Sequence, residues 1–174
     1  ETITPSSMVE AWLTLVEAFM FKSIDRVSNE SLADYQKKPR DLWVQQWPGQ
    51  VIILVGQIDW TTAIDGCLMT EGMGNKLLGE YHKKTIKDLD DIVTLVRGNL
   101  PKLARKAISP LIVIDVHARD VVGQLFEAGI SGINDFDWLA QLRYYTAGEN
   151  VLSSNGDPIY GMQIKMISTI LPYG

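Results

Sequence analysis

Apolar residues recur at intervals of three and four along most of this chain, which is the period of an amphipathic helix. The longest such stretch places these residues on one face: Leu77, Leu78, Tyr81, Thr85, Ile86, Leu89, Ile92, Val93, Val96 and Leu100. The same period predicts a helix that opens at a capping box of Ser7 and Glu10, a short helix at Leu42–Val44, a helix from Gln50 to about Gly66, a helix over Lys102–Glu127, and a final helix capped by Asn134 that extends towards Tyr145.

Proline and glycine mark the boundaries between these helices. Pro39 and Pro48 each push the preceding residue out of helical backbone. The pair Gly98-Asn99 is predicted to end the longest helix in left-handed backbone, and Pro110 to kink or divide the helix in which it lies. The β-branched run Leu111–Val116 leaves a buried strand open as the alternative there.

The pattern changes character after Tyr145. The segment Ser153–Pro158 is a strong turn signal, and beyond it Ile159–Leu171 partly alternates between apolar and polar residues, as a strand does. A hairpin of Asn150–Leu152 with Ile159–Ile167 is the simplest prediction. It is small enough to need support from the helices.

The predicted fold class is therefore mainly α, a bundle of stacked amphipathic helices with a small C-terminal β-hairpin. A helical segment over 1–146 and a hairpin and junction over 147–174 are the two expected parts. With 174 residues, 46% apolar and 21% charged, the composition is typical of one folded globular domain or of a piece of a larger protein. The absence of an initiator Met favours the piece.

The net charge, the length of the apolar runs and the cysteine content limit the kinds of partner and the compartment expected for this chain. A net charge of −5 disfavours a surface for phosphate backbones, so no nucleic-acid partner is expected. No apolar run approaches the length of a membrane span, and Glu1–Pro5 lacks the features of a secretory signal, so no membrane partner is expected. The single Cys67 suits a reducing compartment and is interpreted as a small packing residue.

The segment Leu111–Asp120 carries charges that resemble a catalytic set. On a helix, however, Asp115 and Arg119 share a face while His117 points nearly the opposite way. We therefore interpret Asp115 and Arg119 as an ion pair, and His117 as a surface or packing residue. No catalytic, cofactor-binding or metal-binding residue is predicted in this chain.

Three other candidate sites have simpler structural interpretations. The segment Glu71–Lys76 lacks the spacing and the hydroxyl residue of a phosphate-binding loop, so it is interpreted as a helix linker. His82 and His117 are too few and too far apart for a convincing metal site. A possible aromatic platform, interpreted instead as core and inter-helix packing, consists of Trp47, Trp60, Trp138, Tyr144 and Tyr145.

Five motifs in one order carry a family resemblance. They are Trp47–Val51, Gln57–Trp60, Asp91–Gly98, Leu111–Val122 and Asn134–Tyr145. In this order they resemble the C-terminal part of the linker of dynein heavy chains, over most of Ser7–Tyr145, just before the first AAA+ module. The residues of Leu95–Gly98 and Val113–Asp120 resemble those of axonemal heavy chains in particular. The chain departs from the family at Thr146, where a Trp is usual, and over Ala147–Tyr160.

The resemblance implies a non-catalytic lever of an ATP-driven motor that moves along microtubules. ATP and Mg would bind in the adjoining ring, and this segment would hold no cofactor of its own. The implied partners are the AAA+ ring of the same chain, other dynein subunits and microtubules, and the implied location is the cytoplasm and the axoneme of a cilium or flagellum. A free-standing α-helical protein-binding domain, which would use exposed aromatic residues such as Trp60 or Trp138, is the alternative hypothesis.

Overall fold

The computed structural model describes residues 8–130, 132–147 and 150–153. In chain order the elements are α1 Val9–Tyr35, α2 Arg40–Trp43, α3 Gly49–Met69, α4 Gly74–Arg97, α5 Lys102–Glu127, α6 Phe136–Leu139, β1 Tyr144–Ala147 and β2 Asn150–Ser153. The predicted fold class is confirmed: helices build the body, and one antiparallel two-stranded sheet follows them.

Helix α1 is continuous from Val9 to Tyr35. It begins after Met8, and the predicted cap Ser7 lies outside the described residues. Ser28 and Ser31 are buried near the C-terminal end of α1, whereas the N-terminal part leaves several apolar side chains exposed, among them Leu13. Only the C-terminal part of α1 is therefore integrated into the body.

Helix α3 is the central element, packed against α1, α4, α5 and β1. By length and composition alone it could cross a membrane, with a mean hydropathy of 1.4, so the predicted absence of any such stretch was wrong. Half of the most apolar 18-residue stretch of α3 is buried inside the protein, as is usual for the core helix of a helical body. The apolar runs in this segment are short because polar residues such as Gln57 and Asp59 interrupt them, so the run lengths did not indicate how apolar the whole helix is.

Two hydrophobic cores lie one after the other along α3, α4 and α5. The Trp43 core consists of the buried residues Trp43, Val44, Val51, Ile52, Val55, Ile92, Leu100, Ile108 and Leu111. The Trp138 core consists of Trp60, Ile64, Leu68, Leu78, Ala118, Val121, Val122, Leu125, Ile130 and Trp138. Each of the three long helices contributes to both, which makes the body one continuous packed unit.

Helix α5 contains Pro110 without being divided, and the strand alternative for Leu111–Val116 is excluded. Proline removes one backbone donor, and this loss is tolerated because Pro110 is exposed while Ile108 and Leu111 on either side are buried. Tertiary packing therefore keeps the helix intact through the proline.

The expected left-handed backbone at Gly98 was wrong. Gly98 is extended, with φ −76° and ψ −166°, and helical backbone resumes only after Pro101, where α5 begins. Left-handed backbone occurs instead at Gly129, with φ 69°, after α5. There the N–H of Ile130 donates to the carbonyl of Leu125 at 3.3 Å, which closes the helix end.

The predicted final helix from Asn134 to Tyr145 was wrong in length. Helix α6 covers only Phe136–Leu139, and the residue before it is Asp135. The chain then becomes strand β1, in which Tyr145 pairs with Leu152 of β2. Asn150–Leu152 therefore pairs with Tyr145–Ala147 in the described structure, and the predicted partner Ile159–Ile167 lies outside the described residues.

Candidate functional site

The charges of Leu111–Asp120 do not form a catalytic set. The predicted pair of Asp115 with Arg119 was wrong, since Arg119 contacts Asp120 at 2.6 Å and Asp115 contacts Arg40 of α2. His117 is exposed, as predicted for a surface residue. What the segment contributes instead is one half of a contact between distant helices.

Arg40 and Asp115 form the centre of a polar belt between the two cores. Arg40 Nη2 lies 2.8 Å from both carboxylate oxygens of Asp115, although 75 residues separate them. Their side chains are only 20% and 14% exposed. Nearby, the hydroxyl of Tyr35 donates to Asp59 Oδ2 at 3.3 Å. We call Tyr35, Arg40, Asp59 and Asp115 the polar belt; it joins α1, α2, α3 and α5.

Burial dominates the electrostatics of the polar belt. Loss of solvent raises the pKa of Asp115, although the Arg40 guanidinium opposes the shift. The pKa of Asp59 is also raised, chiefly by burial, and Lys84 and Tyr35 lower it in part. Burial likewise raises the pKa of Tyr35. The two contacts of the belt, Arg40 with Asp115 and Tyr35 with Asp59, link side chains of four helices, so the arrangement suits a contact between helices rather than a reaction.

A second polar arrangement fastens the C-terminal segment to α3, and we call it the C-terminal junction. Trp138 is fully buried, and its Nε1 donates to Asp65 Oδ1 at 2.8 Å. The backbone N–H of Tyr144 donates to Thr61 Oγ1 at 3.2 Å. Thr61 in turn donates to the carbonyl of Gln57 at 2.9 Å, so its hydroxyl is used as donor and acceptor.

Arg143 completes the C-terminal junction. Its Nη1 donates to the hydroxyl of Tyr145 at 3.2 Å, and its guanidinium lies 5.6 Å from the Trp138 ring centroid. The Trp60 and Trp138 rings are 5.4 Å apart and tilted. The packing interpretation is therefore confirmed for Trp60 and Trp138, because these two indoles contact each other inside the Trp138 core.

The remaining candidates supply no reactive site. Burial, with the nearby Glu80, raises the pKa of Cys67, which favours the protonated thiol over the nucleophilic thiolate. Of the predicted linker Glu71–Lys76, only Glu71–Met73 connects two helices, with Gly72 in left-handed backbone, because α4 already begins at Gly74. The side chain of Asn75, in the first turn of α4, donates to the carbonyl of Phe126. Within the described ranges, no group of three or more His, Cys, Asp or Glu residues could hold a metal ion.

Three residues of these arrangements, Arg40, Thr61 and Asp65, were not predicted from the sequence. Arg40 stands beside a proline in a segment of four helical residues, and Asp65 and Thr61 lie singly on an apolar helix. The available signal was a charged residue at a position where the helical period predicts burial, as at Asp65. Such a residue needs a partner, but the period does not indicate which one.

The chain is similar to axonemal dynein heavy chains. It is 41% identical over 167 residues, 96% of its length, to dynein axonemal heavy chain 3 of Homo sapiens. It is 44% identical over 86% of its length to dynein axonemal heavy chain 12 of Mus musculus. It is 38% identical over 93% of its length to dynein axonemal heavy chain 1 of Homo sapiens.

These relatives are far longer than the chain. The chain spans 4% of the first, 5% of the second and 4% of the third. No protein-family model matches the chain. The similarity therefore concerns one short segment of these proteins.

Proposed function

We propose that this chain, which belongs with the axonemal dynein heavy chains and is homologous to them over most of its length, is a mechanical linker element of a dynein motor. In this role it passes conformational change in an adjoining AAA+ ring of the same chain to the cargo. The observation that carries the proposal is the C-terminal junction, where Trp138 and Tyr144 are fastened to α3. A lever needs such a fixed connection at the end where force enters.

The internal contacts also suit a lever. A stiff element must resist relative sliding of its helices, and two cores joined by the polar belt provide that resistance. The Arg40–Asp115 contact spans α2 and α5, so bending between these helices would break a charge-assisted hydrogen bond. Packed interiors transmit strain because they have low compressibility.

The chemistry of the motor belongs elsewhere in this proposal. The linker element is not an enzyme by itself and binds no cofactor, while the adjoining ring binds ATP with Mg and hydrolyses it. Other dynein subunits and microtubules are partners of the whole motor, which works in the axoneme of a cilium or flagellum. The segment contributes stiffness, attachment and direction.

Trp60 and Trp138 do not form a contact surface for the alternative function, a free-standing α-helical protein-binding domain. Trp138 is 0% exposed and Trp60 is 7% exposed, so neither ring offers a contact surface. A partner could reach them only by unfolding the Trp138 core.

The proposal is tested in an axonemal heavy chain that carries this segment. Thr61→Val keeps the side-chain shape and removes the acceptor for the Tyr144 N–H, and Trp138→Phe removes the donor to Asp65. We expect the double variant to reduce microtubule gliding velocity several-fold while the microtubule-stimulated ATPase rate is retained. The physical reason is that the junction loosens while the ring's chemistry remains intact.

A matched control is Thr14→Val. The Thr14 hydroxyl donates only to the carbonyl of Glu10 within the same exposed helix, so gliding should not change. Unchanged gliding in the double variant would contradict a lever role for this segment. A proportional loss of ATPase rate would do so as well, because it would place the segment in the chemical step.

A further inference from the structure

Basic side chains concentrate where α4 passes into α5. Arg97, Lys102, Arg105 and Lys106 all lie within one short stretch, and no Asp or Glu occurs between Asp91 and Asp115. We call these four basic residues the basic corner. In a chain whose net charge is −5, a stretch of this sign is a local departure from the average.

All four cations of the basic corner are exposed. In the part of the chain that the structure describes, none of them forms an ion pair with a carboxylate. Arg105 Nη2 donates to the carbonyl of Gly98 at 3.1 Å, which orients this one side chain over the α4–α5 turn. The corner therefore presents positive charge that the described fold does not neutralise.

The backbone adds to this charge. Helix α5 begins at Lys102 after Pro101, with no side-chain cap and no acidic residue in its first turn. A helix N-terminus carries partial positive charge and is ordinarily stabilised by acidic side chains. Here cations occupy that position, an arrangement that costs stability and that an external carboxylate would relieve.

An apolar residue lies among the cations. Leu103 is 82% exposed, and Lys106, Pro110 and Val113 follow it at helical intervals along the outward side of α5. Val113 is 70% exposed. An exposed apolar side chain with a charged rim fits a protein surface, since a free anion gains nothing from the leucine.

We propose that the basic corner, with Leu103 at its centre, docks an acidic protein segment that carries an apolar side chain between its carboxylates. The inference rests on charge complementarity and does not depend on the proposed function. Nucleic acid is the less suitable partner, because no Trp, Tyr or Phe occurs between Tyr81 and Phe126 on which a base could stack.

The test measures fluorescence anisotropy of a labelled peptide that alternates Glu and Leu, titrated with the full 174-residue chain. We expect binding that weakens with added salt. The triple variant Lys102→Glu, Arg105→Glu and Lys106→Glu should weaken it roughly tenfold, because attraction at three exposed positions becomes repulsion and each exposed pair contributes modestly. Leu103→Ser should weaken it about threefold and leave the salt dependence unchanged.

The matched control reverses the same number of charges on α4 through Lys76→Glu, Lys83→Glu and Lys87→Glu, which are exposed as well. This control should bind the peptide several-fold more tightly than the corner variant, and thermal melts should show both folded. Equal loss in the two variants would overturn the proposal. So would binding of a DNA duplex, or competition by inorganic phosphate, at the concentrations at which the peptide binds.

Leu103→Ser keeps the proposal falsifiable if the triple variant fails to fold. At 82% exposure its substitution disturbs little packing. Unchanged peptide binding in Leu103→Ser would show that Leu103 contributes nothing to binding, and the proposal of a protein partner with an apolar side chain would be wrong.

Discussion

The two cores are each completed by one fully buried tryptophan, and the two tryptophans are held in different ways. Trp43 Nε1 donates to the backbone carbonyl of Ser31 at 3.1 Å, only 12 residues away. Trp138 Nε1 donates to the carboxylate of Asp65 at 2.8 Å, 73 residues away. The first contact forms within the N-terminal helices, whereas the second requires the chain to return to α3.

Trp43 holds neighbouring helices of the N-terminal part together, which we call closure, whereas Trp138 holds the C-terminal segment on α3, which we call attachment. Trp43 also contacts the Tyr35 ring, with 4.7 Å between ring centroids in an edge-on arrangement, so the end of α1 and α2 close on themselves. Trp138 brings a segment outside the long helices into the body, and β1 follows it at Thr61. The Trp138 core is thus where the body and the C-terminal segment become one mechanical unit.

The largest expected effect comes from removing these rings. Trp138→Ala and Trp43→Ala should each lower the free energy of unfolding by about 3 to 5 kcal/mol, because each leaves a large cavity in a packed core. Chemical denaturation measures both losses. Hydrogen exchange of Tyr144–Ala147 should accelerate in native conditions for Trp138→Ala only. Acceleration of equal size in Trp43→Ala would abolish the distinction between closure and attachment.

The connection between the cores is tested at the polar belt. Arg40→Met should destabilise the fold by about 1 to 3 kcal/mol, since it leaves the Asp115 carboxylate in a poorly solvated place without its partner. The double variant with Asp115→Leu should recover most of this loss, because a packed apolar pair can replace a buried ion pair. A double-mutant cycle in urea measures the coupling, and a value near zero would contradict a connecting role.

Close packing beside the Trp138 core is tested at a glycine. A Cβ on Gly79 would lie 2.7 Å from Cε2 of Phe126, so Gly79→Ala should destabilise by about 1 kcal/mol even though alanine favours helices. Gly66→Ala is the matched control, since a Cβ there meets nothing within 4 Å. It should stabilise by about 0.5 to 1 kcal/mol. Thermal unfolding distinguishes the two, and a gain in both would show that the Phe126 ring moves aside and that the contact with Gly79 is not close-packed.

The smallest expected effect concerns Asp59 and pH. Its pKa is raised in the folded state, so its protonated form is favoured by folding; the resulting stability is present below the ordinary value of 3.8 and is lost as the pH rises through the folded pKa. Asp59→Asn resembles the protonated acid and should therefore raise the melting temperature at pH 7. The advantage should vanish below pH 3.8, and a gain that is independent of pH would contradict the burial explanation.

Local signals in the sequence predicted most of the helical body. The breaks at Pro39 and Pro48 and the loop before α4 are in the predicted places, because proline and glycine act on their own backbone. The error at Tyr144 has the opposite origin. The residues around Tyr144 follow a helical pattern. The Tyr144 N–H, however, donates to Thr61, and the backbone pairs with β2, and a helix could not make both of these contacts.

The candidate sites followed the same division. Helical geometry correctly separated His117 from Asp115, because positions on one helix are fixed by its period. It could not identify Arg40 as the partner of Asp115, since 75 residues of intervening chain decide where α2 lies. The nearest opposite charge along the helix, Arg119, was therefore the wrong choice.

The helical period, the positions of the breaks and the similarity to dynein heavy chains could be predicted because they depend on neighbouring residues or on the order of residues along the chain. The tertiary structure decided the polar belt, the C-terminal junction and the strand at Tyr144. These depend on groups brought together from distant positions, where burial makes a hydrogen-bond partner valuable to a polar group. That pairing is a property of the packed body, and no short stretch of the chain contains it.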